Sequence, residues 1–413
     1  MKVAHLYPRY MLPEVEAALL DTPVLIIHGP RQCGKSTLAQ LAAAKYGHQY
    51  FSFDDDNLLR AAREDPVGFC ADLPPMFVLD EIQRAPELFT SIKALVDADR
   101  QAGSIILTGS ANILLLPKLA DSLAGRMEVI RLAPLTQIEL ENTDLEKNFL
   151  DQLFLTKFSL GPGKRLGDEL IERLLAGGFP PVFTRSSFKR RRVWQQQYID
   201  ALMLRDIKEL SNIHSLQIIP ELLQAVAGQT AQLLNISKLA SFFELSRPTI
   251  KEYLTLLEHI FLVEVLPPWH NNRLKRLVKT PKIHLTDTGL AGALLSVDKT
   301  SLKLDRSLYG HLLETFVYQE LRRQSSWSDA SFRFSHYRDK DKVEVDIVIE
   351  KNGQAICGVE VKASSTVAKG DFTGLGRLRD NHDKFSCGVV LYDGDKVLPF
   401  GDRFYAVPIS ELW

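Results

Sequence analysis

The chain has 413 residues, too many for one hydrophobic core, so roughly two to four domains are expected. Its 50 Lys+Arg are balanced by 51 Asp+Glu, for a formal net charge of −1. That balance excludes steering to nucleic acid by a global field, and any basic surface must be local. Cys33, Cys70, Cys357 and Cys387 lie far apart with no C-x-x-C pair, which argues against a disulfide framework or a zinc site and suits a reducing cytoplasm. No apolar run is long enough to span a membrane, and the N-terminal Met1–Arg9 stretch lacks the apolar core of a signal peptide. The expectation is a cytoplasmic protein with no membrane partner.

The first strong element is the apolar run Val24–Ile27, followed by His28-Gly29-Pro30-Arg31-Gln32-Cys33-Gly34-Lys35-Ser36-Thr37. A strand, a glycine loop and a helix start match the phosphate-binding pattern G-x-x-x-x-G-K-[ST] in the context it requires. Gly29 and Gly34 allow the tight backbone that turns successive N–H groups toward phosphates. Lys35 reaches the terminal phosphates, Ser36 offers its hydroxyl to Mg²⁺, and the helix that follows points its positive end at the anion. Gly29 to Thr37 is therefore the predicted ATP-binding stretch.

Next, Tyr50-Phe51-Ser52-Phe53 reads as a strand running into Asp54-Asp55-Asp56, acids suited to capping the following helix. Met76-Phe77-Val78-Leu79-Asp80-Glu81 is an apolar strand ending in acids. After a phosphate loop this is the Walker B arrangement: Asp80 holds Mg²⁺ through its water shell, and Glu81 orients or deprotonates the attacking water. A third apolar strand, Ser104–Gly109, leads to Ser110, the candidate γ-phosphate sensor, with Thr108 second. A polar strand end without phosphate contact is the plain alternative. A helix over Ile113–Leu123 and a strand over Met127–Leu132 complete the series. The alternation of strands and helices predicts a parallel sheet covered on both faces, with the nucleotide at its carboxyl edge.

The phrases GPRQCGKSTL, VLDEIQRAP, ILTGSAN, LAGRMEVIRLAPL and GGFPPV together resemble the prokaryotic AAA-superfamily ATPases of the archaeal-ATPase type, which carry a C-terminal domain catalogued only as a domain of unknown function. The resemblance covers nearly the whole chain. It implies an AAA-like core and a helical lid, with Gly178-Phe179-Pro180 similar to the turn that packs lid against base. It also implies a homo-oligomer with ATP at subunit interfaces, where Arg126, just before the last sheet strand, serves as a finger in a neighbour's site. A surface arginine near Glu128 is the equal alternative. No second sensor arginine stands out, although Arg205 is available.

The middle of the chain reads as a helix-turn-helix. Ile236–Phe243 is a short helix and Glu244-Leu245-Ser246 a turn. A second helix opens at Arg247-Pro248, where Ser246 caps and the missing proline N–H costs nothing. Strand candidates Phe261–Leu266 and Lys282–Thr286 flank a basic hairpin, Trp269–Lys279. This is the winged-helix plan, and Arg247, Thr249, Lys251 and Tyr253 would face DNA. A spacer between modules fits the same pattern. The run Lys189-Arg190-Arg191-Arg192, on a lid helix, reads as solvated.

From Gly310 the order is α-β-β-β-α-β: a helix to Arg323, strands Ser331–Arg338, Val343–Glu350 and Ala355–Lys362, a helix near Phe372–Arg379, and a strand over Phe385–Tyr392. That order is the one of the restriction-endonuclease-like core. Period-two alternation puts Glu344 and Asp346 on one strand face, and Glu360 and Lys362 on one face of the next. The set resembles the PD-(D/E)xK nucleases, although Val345 stands where the motif's proline would. The resemblance assigns Asp346 and Glu360 to Mg²⁺ or Mn²⁺, Glu314 to completing the metal shell, and Lys362 to positioning the attacking water. An inactive relic, in which Lys362 merely pairs with the acids, is the alternative.

The expected layout is α/β throughout: a P-loop AAA-type core with a parallel sheet over 1–140, a helical lid over 141–215, a winged helix-turn-helix over 216–295, and a restriction-endonuclease-like domain over 296–413. The expected function is a Mg-dependent AAA-type ATPase acting on DNA, with a metal-dependent nuclease-like domain. The rival reading is an ATP-controlled switch or scaffold that binds DNA or a protein partner without cleavage.

Overall fold

The computed structural model describes residues 6–110, 123–143, 148–156, 158–210, 218–269 and 280–413, the side chains of 205–210 excepted. The expected helix over Ile113–Leu123, except Leu123 itself, and the tip of the basic hairpin therefore lie outside the described residues, as does the side chain of Arg205. Among the described residues no helix is long and apolar enough to cross a membrane. The chain divides into two compact units, one spanning Met1–Leu135 with Phe179–Pro181 and His259–Phe261, the other holding the remainder.

The first unit is built on the strands β1 (Val24–His28), β2 (Gln49–Ser52), β3 (Phe77–Asp80), β4 (Ile105–Gly109) and β5 (Met127–Arg131). They form one parallel sheet in the order β2-β3-β4-β1-β5. β1 lies centrally and is buried along its whole length, which explains why it reads as a continuous apolar run rather than an alternating one. Its alternate residues feed two cores. Leu25 and Ile27 pack with Val15 and Leu19 of α1 (Leu12–Asp21) and with Leu38 and Ala42 of α2 (Lys35–Tyr46). Val24 and Ile26 pack with Leu59, Leu88, Phe89 and Ile92 on the other face. Each fully buried Val, Leu, Ile or Phe side chain among these contributes about 1.5–3 kcal/mol. Asp55 caps the helix Asp56–Glu64, accepting from Asn57 N at 2.8 Å, as its place in the sequence suggests.

In the second unit the strands β10 (Phe332–Arg338), β11 (Glu344–Lys351), β12 (Ala355–Lys362) and β13 (Phe385–Tyr392) stand within a residue of the strands expected there. β10, β11 and β12 are antiparallel neighbours, and β13 runs parallel to β12 after the helix Thr373–Asp380. The sheet continues through β15 (Phe404–Pro408) and β14 (Lys396–Pro399) to the two-residue β6 (Gly161–Pro162). This last pairing, Lys396 with Pro162, is not foretold by any pattern in the sequence. Asp393 ties the same segment down by accepting from Leu166 N at 3.1 Å and Gly167 N at 3.0 Å. Part of the stretch expected as lid is thus built onto this sheet.

The helices Ile218–Ala227, Ile236–Phe242 and Arg247–His259 accompany a small antiparallel sheet of β7 (Gln232–Leu233), β8 (Val263–Leu266) and β9 (Lys282–Leu285), in the order β7-β9-β8. Asn235 caps the first helix of the turn, accepting from Lys238 N at 2.9 Å, and Ser246 caps the second, accepting from Thr249 N at 3.2 Å. Arg247 and Lys251 are exposed. Tyr253, expected on the DNA side, is buried instead. Its spacing with Ile250, Leu254 and Leu257 is that of the helix's apolar stripe, and the stripe outweighs its phenol. Arg192 also departs from expectation: its guanidinium donates to the carbonyls of Gly292 and Val297 rather than standing in solvent.

Candidate functional site

The nucleotide loop is shaped by two glycines. Gly29 has φ 155°, and a Cβ there would lie 2.1 Å from the carbonyl oxygen of Leu132; Gly34 has φ 106° and precedes the first turn of α2. Around them Pro30 and Cys33 are buried, Arg31 and Gly34 half-buried, and Gln32 and Thr37 exposed. Lys35 is buried and donates from Nζ to the Pro30 carbonyl at 2.9 Å, so its ammonium lies folded over the loop. Cys33 is buried with its Sγ 3.4 Å from the Leu132 carbonyl.

Asp80 closes β3 beside this loop. It accepts from Ser36 Oγ at 3.0 and 3.1 Å, from Tyr50 Oη at 2.7 Å, and from Thr108 Oγ1. Burial, and then the bond to Asp80, hold the Tyr50 phenol protonated well above its usual range. Glu81 follows in the left-handed region, at φ 59°. Its backbone N–H donates to Thr108 Oγ1 at 3.2 Å, and its Oε2 accepts from Ser110 Oγ at 3.1 Å and from Gln83 Nε2. Gln83 also donates to Ser110 Oγ, at 3.0 Å. The structure thus brings Ser36, Asp80, Glu81, Thr108 and Ser110 together. Ser36 Oγ and Asp80 form a set of hard oxygen donors that fits Mg²⁺. Arg126 lies elsewhere, on β5's leading edge, with Nε and Nη2 donating to Asp97 at 2.6 and 3.0 Å.

Sequence reasoning missed three contributors here. Gln83 and Tyr50 are ordinary polar residues whose role depends on where the chain folds back. Arg9 donates from Nη1 to the Cys33 carbonyl at 2.5 Å and from Nη2 to the Ala133 carbonyl at 2.7 Å, bracing the loop from a segment that carries no motif.

The acidic residues of the second unit also converge. Glu314 comes from the helix Arg306–Gln324, Asp346 from β11, and Glu360 and Lys362 from β12. Lys362 Nζ lies 3.6 Å from Glu360 Oε2, and Asp346 Oδ2 accepts from Val361 N at 3.0 Å. The unforeseen member is Lys282 of β9. Its Nζ is 2.6 Å from Glu314 Oε1 and 3.3 Å from Asp346 Oδ1, and the residue is 3% exposed. Burial pushes Glu314 up to about 8, with the Asp346 charge adding to it. Burial and then Asp346 likewise raise Glu360. Burial alone would raise Asp346 too, but the charge of Lys282, the Val361 N–H and Lys362 hold it below its ordinary value. Relative to free carboxyls, the site therefore favours the charged form of Asp346 and the neutral forms of Glu314 and Glu360.

This donor set does not fit the Mg²⁺ or Mn²⁺ expected at Glu314, Asp346 and Glu360. An ammonium already lies between the first two acids, and each lone pair it engages is withdrawn from a metal. Among the described residues no group of three or more His, Cys, Asp or Glu is placed to hold one.

Comparison with known proteins places these sites in context. Residues 21–141 match the profile of a family described as an AAA domain, which spans the loop, Asp80, Glu81 and Ser110. The chain carries a P-loop AAA-type ATPase domain. Residues 167–301 and 309–412 match two families described as domains of unknown function (DUF8612 and DUF4143). Lys282 lies in the first of these stretches and its acidic partners in the second, so the cluster joins two matched segments. An uncharacterized protein of Mycobacterium tuberculosis is 29% identical over 399 residues, covering 96% of this chain and 82% of that protein. One from Methanocaldococcus jannaschii is 22% identical over 422 residues, covering 97% and 89%. A Walker-type ATPase of Pyrococcus abyssi aligns in structure with a TM-score of 0.39 at 16% identity, over 70% of this chain and 96% of that one.

Proposed function

We propose that this protein is a Mg-dependent ATPase that acts on DNA, and that its C-terminal core grips a partner without cutting it. The observation that carries the ATPase reading is the convergence of the buried Lys35, the Ser36–Asp80 bond and the Glu81–Ser110–Gln83 triangle at one sheet edge. In this reading the loop amides and Lys35 bind the terminal phosphates. Ser36 and Asp80 hold Mg²⁺, which supplies charge neutralisation at those phosphates when bound. Ser110 and Gln83 hold Glu81 in place, and Glu81 orients the attacking water. ATP bound between subunits would require Arg126 to exchange Asp97 for a neighbour's phosphate.

Two features support action on DNA. The helix-turn-helix, preceded by β7 and followed by β8 and β9, has the order of a winged helix, and Arg247 and Lys251 stand exposed on its second helix. The α-β-β-β-α-β order supports a restriction-endonuclease-like core. Recognition rather than cleavage is favoured by one specific observation, the Lys282 ammonium between Glu314 and Asp346. The test is ATP hydrolysis by wild type, Lys35→Ala and Glu81→Gln with and without duplex DNA. Hydrolysis lost in both variants and altered by DNA supports the reading. Hydrolysis indifferent to either variant would remove it.

A further inference from the structure

We propose that Lys282 is the resident cation of the C-terminal acidic cluster: it closes that cluster to divalent metals and makes it a joint between the helix-turn-helix module and the C-terminal sheet. The inference rests on reading the C-terminal core as nuclease-like, since only then is a metal expected there.

Geometry carries it. A divalent ion bridging Glu314 and Asp346 needs an oxygen from each at about 2.0–2.6 Å, depending on the ion. The Lys282 Nζ already stands between those carboxylates, at 2.6 and 3.3 Å. Two cations in so small a gap repel strongly where water is scarce. Two further acceptors are engaged as well: Asp346 Oδ2 takes the Val361 N–H, and Glu360 faces Lys362.

Lys282 cannot easily swing away. Its backbone is fixed on both sides, in register with Leu266 of β8 and Leu233 of β7. The residues after it continue the same seam along the helix Arg306–Gln324. His284 Nδ1 meets Thr315 Oγ1 at 3.1 Å, the Leu285 carbonyl accepts from Gln319 at 3.2 Å, and the Thr286 carbonyl accepts from Arg323 at 2.8 Å. The base of the basic hairpin is stitched to the sheet edge in the same way: Trp269 N donates to the His336 carbonyl at 2.6 Å, and His336 N to the Pro267 carbonyl at 3.0 Å. The acidic cluster is the charged end of this seam. A lysine that saturates the acids joins the two modules permanently, whereas a metal would join them only when bound.

The experiment is Mn²⁺ titration, followed by electron paramagnetic resonance, of the full-length, nucleotide-free protein. Wild type, Asp346→Asn, Lys282→Ala, Lys282→Met and Lys282→Ala/Asp346→Asn are compared. Wild type is expected to show no Mn²⁺ site that depends on Asp346. Removing the ammonium is expected to create one, tightening Mn²⁺ binding about tenfold or more, and Asp346→Asn should abolish the gain. Mn²⁺ should also raise the melting temperature of the Lys282 variants and not that of wild type. A wild-type site lost in Asp346→Asn would overturn the proposal, as would folded Lys282 variants that gain nothing. If neither Lys282 variant folds, the wild-type and Asp346→Asn titrations still decide whether the cluster is closed. Absence of DNA binding by wild type, measured separately, would count against the proposed function and leave the cation assignment standing.

Discussion

Asp80 and Asp346 both lie on strands among polar partners, yet the partners differ in kind. Asp80 is ringed by the hydroxyls of Ser36, Tyr50 and Thr108. Asp346 is held by the ammonium of Lys282 and a backbone N–H. Hydroxyls satisfy lone pairs without neutralising charge, so a divalent cation can still enter and be stabilised. An ammonium does both, and the cation's place is taken. The type of partner, more than the number of acids, tells whether a carboxylate cluster is open to metal.

The largest expected effect lies on the Asp80 side. Glu81→Gln should keep ATP bound and lower turnover by about 10²–10⁴, the usual worth of a positioned base, as read by steady-state phosphate release alongside nucleotide affinity. A parallel loss of affinity would instead make Glu81 a binding residue. On the Asp346 side the effect should appear in stability. Lys282→Met leaves buried acids without their cation and should cost about 3–5 kcal/mol in denaturant unfolding. A cost near zero would show that the acids stay neutral without Lys282, which blurs the contrast between the clusters.

The two units also respond to pH in opposite directions. Burial lowers His28, on β1, to about 4 from 6.5, so folding favours its neutral form. Its contribution is present above the unfolded value and is lost as pH falls from about 6.5 to 4. Burial raises Glu320, in the second unit, to about 7 from 4.5. Its contribution is present below 4.5 and is lost as pH rises from about 4.5 to 7. Glu320→Gln should flatten that second slope in melting curves and leave the first unchanged. A slope identical to wild type would contradict the assignment.

The smallest effect belongs to the exposed face of the helix-turn-helix. Lys251→Ala should weaken DNA binding across all sequences and reduce the salt slope by about one. A slope unchanged by the substitution would move the DNA contact elsewhere.

The two clusters were not equally legible in the sequence. The glycine loop, β3 with its terminal acids and β4 with Ser110 are local: each is a run of fewer than about ten residues whose types dictate its geometry. β11 and β12 are read from period-two alternation in the same way. Lys282 is different. In Pro281-Lys282-Ile283-His284-Leu285 it looks like the polar start of a strand, and its partners lie 32 and 64 residues further on. Arg9 is similar, reaching a carbonyl 24 residues ahead and another 124 residues ahead. Charge pairs of long range leave no periodic trace. Tyr253 teaches the converse, since its place in the apolar stripe was readable and its phenol drew attention from it.

One reaction with two readouts separates a closed acidic cluster from a metal-dependent nuclease site. Wild type, Glu81→Gln and Asp346→Ala would be incubated with ATP, Mg²⁺ or Mn²⁺, and labelled single-stranded, duplex and forked DNA, following phosphate release and strand integrity together. ATP hydrolysis that Glu81→Gln removes is expected, with every DNA left intact by every protein. DNA cut by wild type and spared by Asp346→Ala would show that the second cluster takes a metal after all, and would contradict the account.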